Sequence, residues 1–424
     1  MAARGRSGRR YHSWCGHHGR SREPLPLAQF LLTLCCLLGS VTALSAQDAE
    51  PGSNARFRLG ALRFTPSIAL TNVGVDNNVF NTVDDPQRDV TTDIGPRVAY
   101  WLRMGKARLS GISLGQYLYF KDFASQRSWS TNQQGRIAVP LGRVAPFVDA
   151  TYRNSRERPG FEIDARAHRR EWVGSAGSEI RLSPKTTLVL SGSRETFRYD
   201  NEESFLGVNL ANTLNRHTDL GRVQLRYTLT PLTTFVMNAD ALRDRFDSTV
   251  ARDADSLRVM PGFELKPRAL ISGTAAVGFR RFNVLDGRTE DFSGVTAAVN
   301  ARYALHSTQF GLKLNRDLSY SFEQETPYYA LTDVTVEITE RLSRSWDVLA
   351  RGGRQTLAYR RASSASGADR TDHGVVYGAG IHYRLGDTAQ LGVDGNYYRR
   401  DAASTVRNYD GLRIGASVTY GSRQ

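Results

Sequence analysis

The sequence predicts an all-β chain, a transmembrane antiparallel up-and-down β-barrel of 18 strands with both termini periplasmic. Three observations lead there. First, apolar and polar residues alternate with period two, most plainly near the C-terminus, where Leu412, Ile414, Ala416, Val418 and Tyr420 interleave with Arg413, Gly415, Ser417 and Thr419. Second, tight turns recur at a spacing of roughly 40 residues, two strands and one longer polar loop per unit, as in hairpins joined in series. Third, Gly 38, Tyr 18 and Phe 18 against Met 4 and Pro 14 is a composition rich in sheet-decorating residues, and no heptad pattern runs through the body.

Residues 1–46 stand apart. They hold six Arg, three His and one Glu, then the apolar run "FLLTLCCLLGSVTALSA" from Phe30 to Ala46. That run is too short to span a bilayer and ends in small residues, so it reads as a secretory signal peptide cleaved after Ala46, with Ala43 as the second choice. Cys15, Cys35 and Cys36 all fall inside it, so the exported chain holds no cysteine and is stabilised without disulfides. With the leader removed, 50 basic residues face 41 acidic ones, and the surplus is spread along the chain. Dispersed charge of this kind is not a nucleic-acid footprint. Residues 47–59 form a short periplasmic segment, 60–420 the barrel and 421–424 a tail.

Strands are expected to begin near Gly60, Thr91, Arg108, Thr131, Arg143, His168, Lys185, Arg216, Leu232, Ala254, Arg268, Asp291, Ser307, Tyr328, Arg344, Thr371, Asp387 and Val406. The tight turns are "RMGKA", "PLGR", "LSPKT", "LTPLT", "LKPRA", "ALHST", "RLSRS" and "RLGDT"; the segments between, such as "RNSRERPGFEIDARA" and "DNEESFLGVNLAN", are long and polar. Short turns at one end and long loops at the other are the asymmetry of an outer-membrane barrel. Leu62, Phe64, Ile68 and Leu70 share one phase, as do Val223, Leu225, Tyr227 and Leu229, and Tyr377, Ala379, Ile381 and Tyr383. These faces carry Gly and Ala, with no second kind of element to cover them, so lipid is their expected partner. Two strands break the rule. Arg316 shares the phase of Phe310, Leu312 and Leu314, which requires a bulge or an interfacial position. In the strand from Arg344 the apolar phase flips after Ala350, and Gly352 and Gly353 suggest a bulge.

Aromatics bracket the strands, with Tyr100, Tyr227, Tyr303, Trp346, Tyr383 and Tyr420 toward the turns and Tyr152, Trp172, Phe279 and Tyr397 toward the loops, the placing of two headgroup-level belts. The polar phase carries the charges. Arg97, Arg136, Arg181, Arg226, Arg258, Arg302, Lys313, Arg351, Arg384 and Arg413 are the expected lumen-lining residues, with Asp149, Glu179, Glu264, Asp333, Glu337, Asp347 and Asp394 among them. Paired across strands they would stiffen the wall; in a cylinder this wide they would also border water. No catalytic constellation is visible. The five body histidines, His168, His217, His306, His373 and His382, sit on different strands and loops without metal-ligand spacing, so neither an enzyme nor a cofactor or metal site is expected. Asp76 to Phe80, Asp84/Asp85 and Asp253/Asp255 read as turn residues rather than calcium ligands.

The stretch from Leu62 to Asn81, "LRFTPSIALTNVGVDNNVFN", followed by "TTDIGPRVAYWL", resembles the β-barrel porins of type 2. That resemblance implies a protein of the Gram-negative outer membrane, embedded in its lipid. It implies a conduit for exopolysaccharide or glycan secretion, with a periplasmic polysaccharide-export protein as partner; the alternatives are a passive porin for small anionic solutes and a structural or adhesive barrel. The last strand also resembles the C-terminal recognition strand of such barrels, with Arg413, Gly415, Val418 and Tyr420 as the signal that barrel-assembly machinery reads. "GSRQ" follows Tyr420, where the pattern usually ends on the aromatic.

Overall fold

In a computed structural model, residues 55–421 are described apart from 268, 288 and 362–368. The signal peptide, the expected start at Arg268 and residues 422–424 therefore lie outside the described residues. Eighteen long strands form one antiparallel sheet: β1 (Leu62–Asp76), β2 (Asp89–Met104), β3 (Ala107–Phe120), β4 (Ser128–Ala138), β5 (Val144–Glu157), β6 (Ala167–Arg181), β7 (Thr186–Tyr199), β8 (Arg216–Thr230) and β9 (Thr233–Phe246). The circuit continues through β10 (Ala254–Leu265), β11 (Ile271–Val284), β12 (Phe292–Leu305), β13 (Thr308–Tyr320), β14 (Tyr328–Arg341), β15 (Trp346–Arg360), β16 (Thr371–Leu385), β17 (Ala389–Asp401) and β18 (Tyr409–Tyr420). Each strand pairs with the next, and β18 pairs with β1, so the sheet has no free edge. Closure matters because an unpaired strand edge in hydrocarbon would strand its N–H and C=O groups.

The turns close as their chemistry requires. Gly105, Gly142 and Gly386 take positive φ in the tight connections β2–β3, β4–β5 and β16–β17, and His306 does so between β12 and β13. The opposite connections are longer, and one of them holds a two-residue hairpin, Ser204–Phe205 with Val208–Asn209, and a helix, α1 (Leu210–Leu214), capped by the Asn209 side chain. A three-residue strand, Phe57–Leu59, pairs with the start of β1.

The outer wall is apolar and uncovered. Leu257, Val277, Ile414, Val418 and Tyr377 are all exposed, on the strand faces expected to meet lipid. Tyr117 packs on Trp129 and Tyr152 on Trp172 on that face toward the loops, and Trp346 packs on Tyr383 toward the turns.

Of the two phase irregularities, one departs from expectation and the other takes the second of its two expected forms. No bulge interrupts β15: its register with β14 and β16 runs unbroken through Gly352 and Gly353. The flip is instead a change of environment on a regular strand, because Leu357 and Tyr359 point inward into a buried cluster with Tyr329. A bulge does lie in β1, where Asn72 has φ 54° and the register slips against both neighbours, so Val73 and Val75 take over the outer face from Ile68 and Leu70. Arg316 also sits on an unbroken register. It lies outward near the loop end of β13, donating to Thr332 Oγ1 at 2.5 Å and to the Val295 carbonyl at 3.2 Å, so an interfacial position accommodates it rather than a bulge.

Candidate functional site

The inward faces carry linked charges. Arg222 on β8 grips Asp240 on β9 at 2.7 Å, Asp240 also binds Arg258 on β10 at 2.8 Å, and Arg258 reaches Asp317 on β13 at 2.5 Å. Arg280 on β11 joins the same carboxylate at 2.8 Å. A contact from β10 to β13 passes over two intervening strands and is possible only on the concave side. Period-two alternation therefore puts the ion pairs inside and the apolar residues outside.

All ten expected cationic positions share this inward phase. Arg136 binds Glu179 at 2.7 Å and Asp149 at 3.4 Å, Arg226 binds Glu264 at 2.7 Å, and Arg384 Nε donates to Asp347 at 2.5 Å. Arg413 meets Asp76 across the closing seam at 2.5 Å, and Arg351 donates to the Asn396 side chain at 3.0 Å. Arg258 is in the network above. Among the described residues Arg97, Arg181, Arg302 and Lys313 have no carboxylate within ion-pair distance. In the last strand Arg413 and Gly415 point in while Val418 and Tyr420 point out, and Arg56 donates to the Gly421 carbonyl at 2.8 Å beside them.

A cavity of about 810 Å³ lies along this wall. Its lining runs from Ser155 and Glu157 at the loop end of β5 to Ser307, Arg341 and Thr388 at the turn end. Arg97, Arg153, Arg341 and Arg384 contribute the cations, Asp93, Glu157 and Asp347 the acids, and hydroxyl or carboxamide side chains such as Gln116, Asn132 and Gln309 most of the remainder.

Over the loop end stands a roof that the sequence pattern did not announce. Segment 158–166, between β5 and β6, reaches across the barrel end to strands not adjacent to its own. There Arg400 on β17 donates to the carbonyls of Phe161 and Glu162 and binds Asp164 and Asp372, each at 3.1 Å. Arg407 donates to the Glu162 carbonyl at 2.5 Å and binds Glu323 at 3.0 Å, and Arg252 donates to the carbonyls of Ser321 and Glu323. Beneath these, Ile163, Tyr199, Phe205, Leu210, Leu214 and Phe322 form a small apolar core. The Glu162 carboxylate accepts from Ser321 Oγ at 2.5 Å and from the Phe322 N–H at 3.3 Å. Burial pushes its pKa up to about 7, against the opposing pull of the Ser321 bond and Arg407. Glu323 goes the other way: burial raises it, but the bonds from Arg370 and Thr326 and the charges of Arg370 and Arg407 outweigh that, and its pKa ends below the usual carboxylate value. The one sequence signal for the roof was the apolar content of "FEI" and "FLGVNLANTL" inside otherwise polar loops.

The Asp and Asn residues of the first loop serve structure. Asn78 Nδ2 donates to the carbonyls of Thr82 and Asp410, and Asp89 accepts backbone N–H groups of Asp122 and Phe123. No group of metal-ligating side chains gathers among the described residues.

A closed strand cylinder with an apolar outer wall and a charged, water-accommodating inner wall defines a transmembrane barrel of the porin class. The sequence profile described as "Putative beta-barrel porin 2" matches residues 50–421, and the chain belongs to that family. Family and fold place it in the Gram-negative outer membrane, in contact with its lipid, and porins are not enzymes. No curated protein matches the chain. Solved structures to which it is similar include Pseudomonas aeruginosa OpdK with vanillate, at 9% identity, covering 84% of this chain and 98% of that chain with a TM-score of 0.48. A BenF-like porin from Pseudomonas fluorescens Pf-5 is similar at 10% identity, 86% and 99% coverage and a TM-score of 0.48. Pseudomonas aeruginosa OccK3 is similar at 12% identity, 84% and 95% coverage and a TM-score of 0.45.

Proposed function

We propose that the chain is a passive porin for small anionic solutes, with Arg97, Arg136, Arg181, Arg226, Arg258, Arg302, Lys313, Arg351, Arg384 and Arg413 lining its lumen. The observation that carries this reading is the cavity whose lining extends from the loop end to the turn end of the strands and holds four Arg against three acids. Charges inside a narrow aqueous path act at short, weakly screened range, so a modest cationic surplus biases which ions pass. Glycan export with a periplasmic partner is the less fitting reading, because a polymer needs a wide mouth and the roof loops are knitted together over it. In the same reading residues 1–46 are a cleaved signal peptide, both termini are periplasmic, and β18 with Arg413, Gly415, Val418 and Tyr420 is the strand that assembly machinery recognises.

Planar-bilayer recordings across a potassium chloride gradient test the proposal, together with a deletion strain. A reversal potential of anion-selective sign, slower uptake of small organic anions and unchanged surface glycan are expected. Loss of surface glycan with no change in uptake would transfer the function to export.

A further inference from the structure

At the loop end, two arginines stand at either end of the β5–β6 connection: Arg156, next to last in β5, and Arg166, which immediately precedes β6. Both reach the single 3₁₀ turn Ala124–Gln126 in the β3–β4 loop. Arg156 Nη1 donates to the Ser125 carbonyl at 3.0 Å and Arg166 Nη1 to the Gln126 carbonyl at 3.4 Å. Since these carbonyls are consecutive, both guanidinium groups are anchored to one short turn, close enough for the Arg156 charge to act on Arg166. Arg166 is further fixed over the Phe120 ring, 4.4 Å from its centroid.

Two cations brought together in this way should attract a carboxylate. Among the described residues neither has one within ion-pair distance. Arg158, the third cation of the segment, spends its donors on the carbonyls of Asp164 and Val79. Asp76, the nearby acid, is held by Arg413 at 2.5 Å. The Nε atoms of Arg156 and Arg166 are buried and find no acceptor in the protein. A buried donor without a partner is costly, and two such donors on arginines anchored to the same turn are the groups a common acceptor would satisfy. In both residues the edge left over is the Nε and Nη2 side of the fork. Arg194 shows what that edge does when satisfied: it grips the two oxygens of Asp219 at 2.6 and 2.7 Å. Burial first, then the neighbouring Arg158, Arg413 and Arg156, push the pKa of Arg166 down to about 9, the mark of a cation short of negative charge.

We propose that Arg156 and Arg166 form a binding site for a tetrahedral oxyanion of the phosphate type at the loop end of the barrel. A carboxylate has two oxygens and fills one fork; a phosphate has enough to fill both while its charge offsets the paired cations. Two sources present that chemistry, a free solute approaching the pore and a phosphorylated headgroup of the outer leaflet. The site does not require the pore to conduct.

The test is calorimetric titration of the full chain, folded in phosphate-free detergent, with inorganic phosphate and in parallel with acetate. One saturable site is expected, tighter for phosphate than for acetate, and weakened at least tenfold in R156Q and in R166Q. R156K, which keeps the charge and loses the fork, should fall between. R399Q removes the same charge from Arg399, which is bound to Asp401 at another loop end, and should bind as the parent does. If R166Q does not give the folded gel band, R156Q and R156K decide. Absence of saturable heat, or equal affinity in R156Q and R399Q, would overturn the site. Repeating the titration in phosphatidylcholine vesicles with and without phosphorylated lipid A identifies the source. A tenfold loss of apparent phosphate affinity with lipid A means that the headgroup occupies the forks, and no change means a free solute does.

Discussion

Glu162 is a buried acid whose own oxygens meet a hydroxyl and a backbone N–H, while the surrounding arginines reach carbonyls instead. The charged groups that face it are Arg407, Arg252 and Glu323, with Tyr329 and Tyr359 alongside. Its pKa in the seated loop is about 7, against 4.5 when solvated. A raised acid pKa means that the seated form binds the proton more tightly. Glu162's own contribution to the roof is therefore greatest below pH 4.5, and up to about 3 kcal/mol of it is lost as pH rises from there through 7, whereas Glu323, held below its usual value by Arg370 and Arg407, loosens the roof only on the acid side. Hydrogen exchange in 158–166 and 321–327, corrected for intrinsic rates, should accelerate between pH 5 and pH 7, level off above that, and show no such step in E162Q. A step that persists in E162Q would assign the effect to another group. The fork-bearing Arg156 and Arg166 belong to the same scale, since their meaning lies in which of their nitrogens lack acceptors rather than in their charge.

Among elements, the seam between β1 and β18 holds a close backbone approach. The Asn72 bulge presses the two strands together so closely that a Cβ on Gly74 would stand 1.9 Å from the Ile414 carbonyl oxygen. Gly74→Ala should therefore strain the closing pair by about 1 to 3 kcal/mol, an overpacking cost. Gly174→Ala, at a β6 glycine where the added carbon meets nothing within 4 Å, should be silent. Gel mobility after graded heating compares them, and equal melting of the two variants would contradict the reading of the seam. The strands themselves were legible: where the start is described, each begins within three residues of the position read from alternation, because lipid on one side and water on the other impose the period along the whole strand. Alternation fails where one face meets a third environment. Leu357 and Tyr359 look misphased only because the roof gives the inner wall a dry patch, and that patch depends on contacts such as Arg400 with Asp164, which no local pattern encodes.

At the scale of the whole molecule, the inner wall combines two kinds of arginine that the sequence presents as one. Arg226 and Arg384 are committed to Glu264 and Asp347, whereas Arg97 and Arg302 have no carboxylate within ion-pair distance among the described residues. The pairing predicts different consequences for the same substitution. Arg97→Glu with Arg302→Glu should leave the folded gel band intact and move the reversal potential toward cations, because an unpaired charge on a wet wall sets the local field without holding strands together. Arg226→Glu or Arg384→Glu would instead place a carboxylate against an existing one, and repulsion across neighbouring strands should lower the temperature at which the band is lost. Ile381→Arg supplies the contrast on the other face. That side chain is exposed on the outer wall, where a lipid-facing Arg costs about 2 to 4 kcal/mol near the bilayer midplane, so the folded fraction should drop although the lumen is untouched. Unaltered selectivity in the Arg97/Arg302 variant, with the barrel folded, would mean that ions are sorted elsewhere along the path, and the roof would be the next place to look.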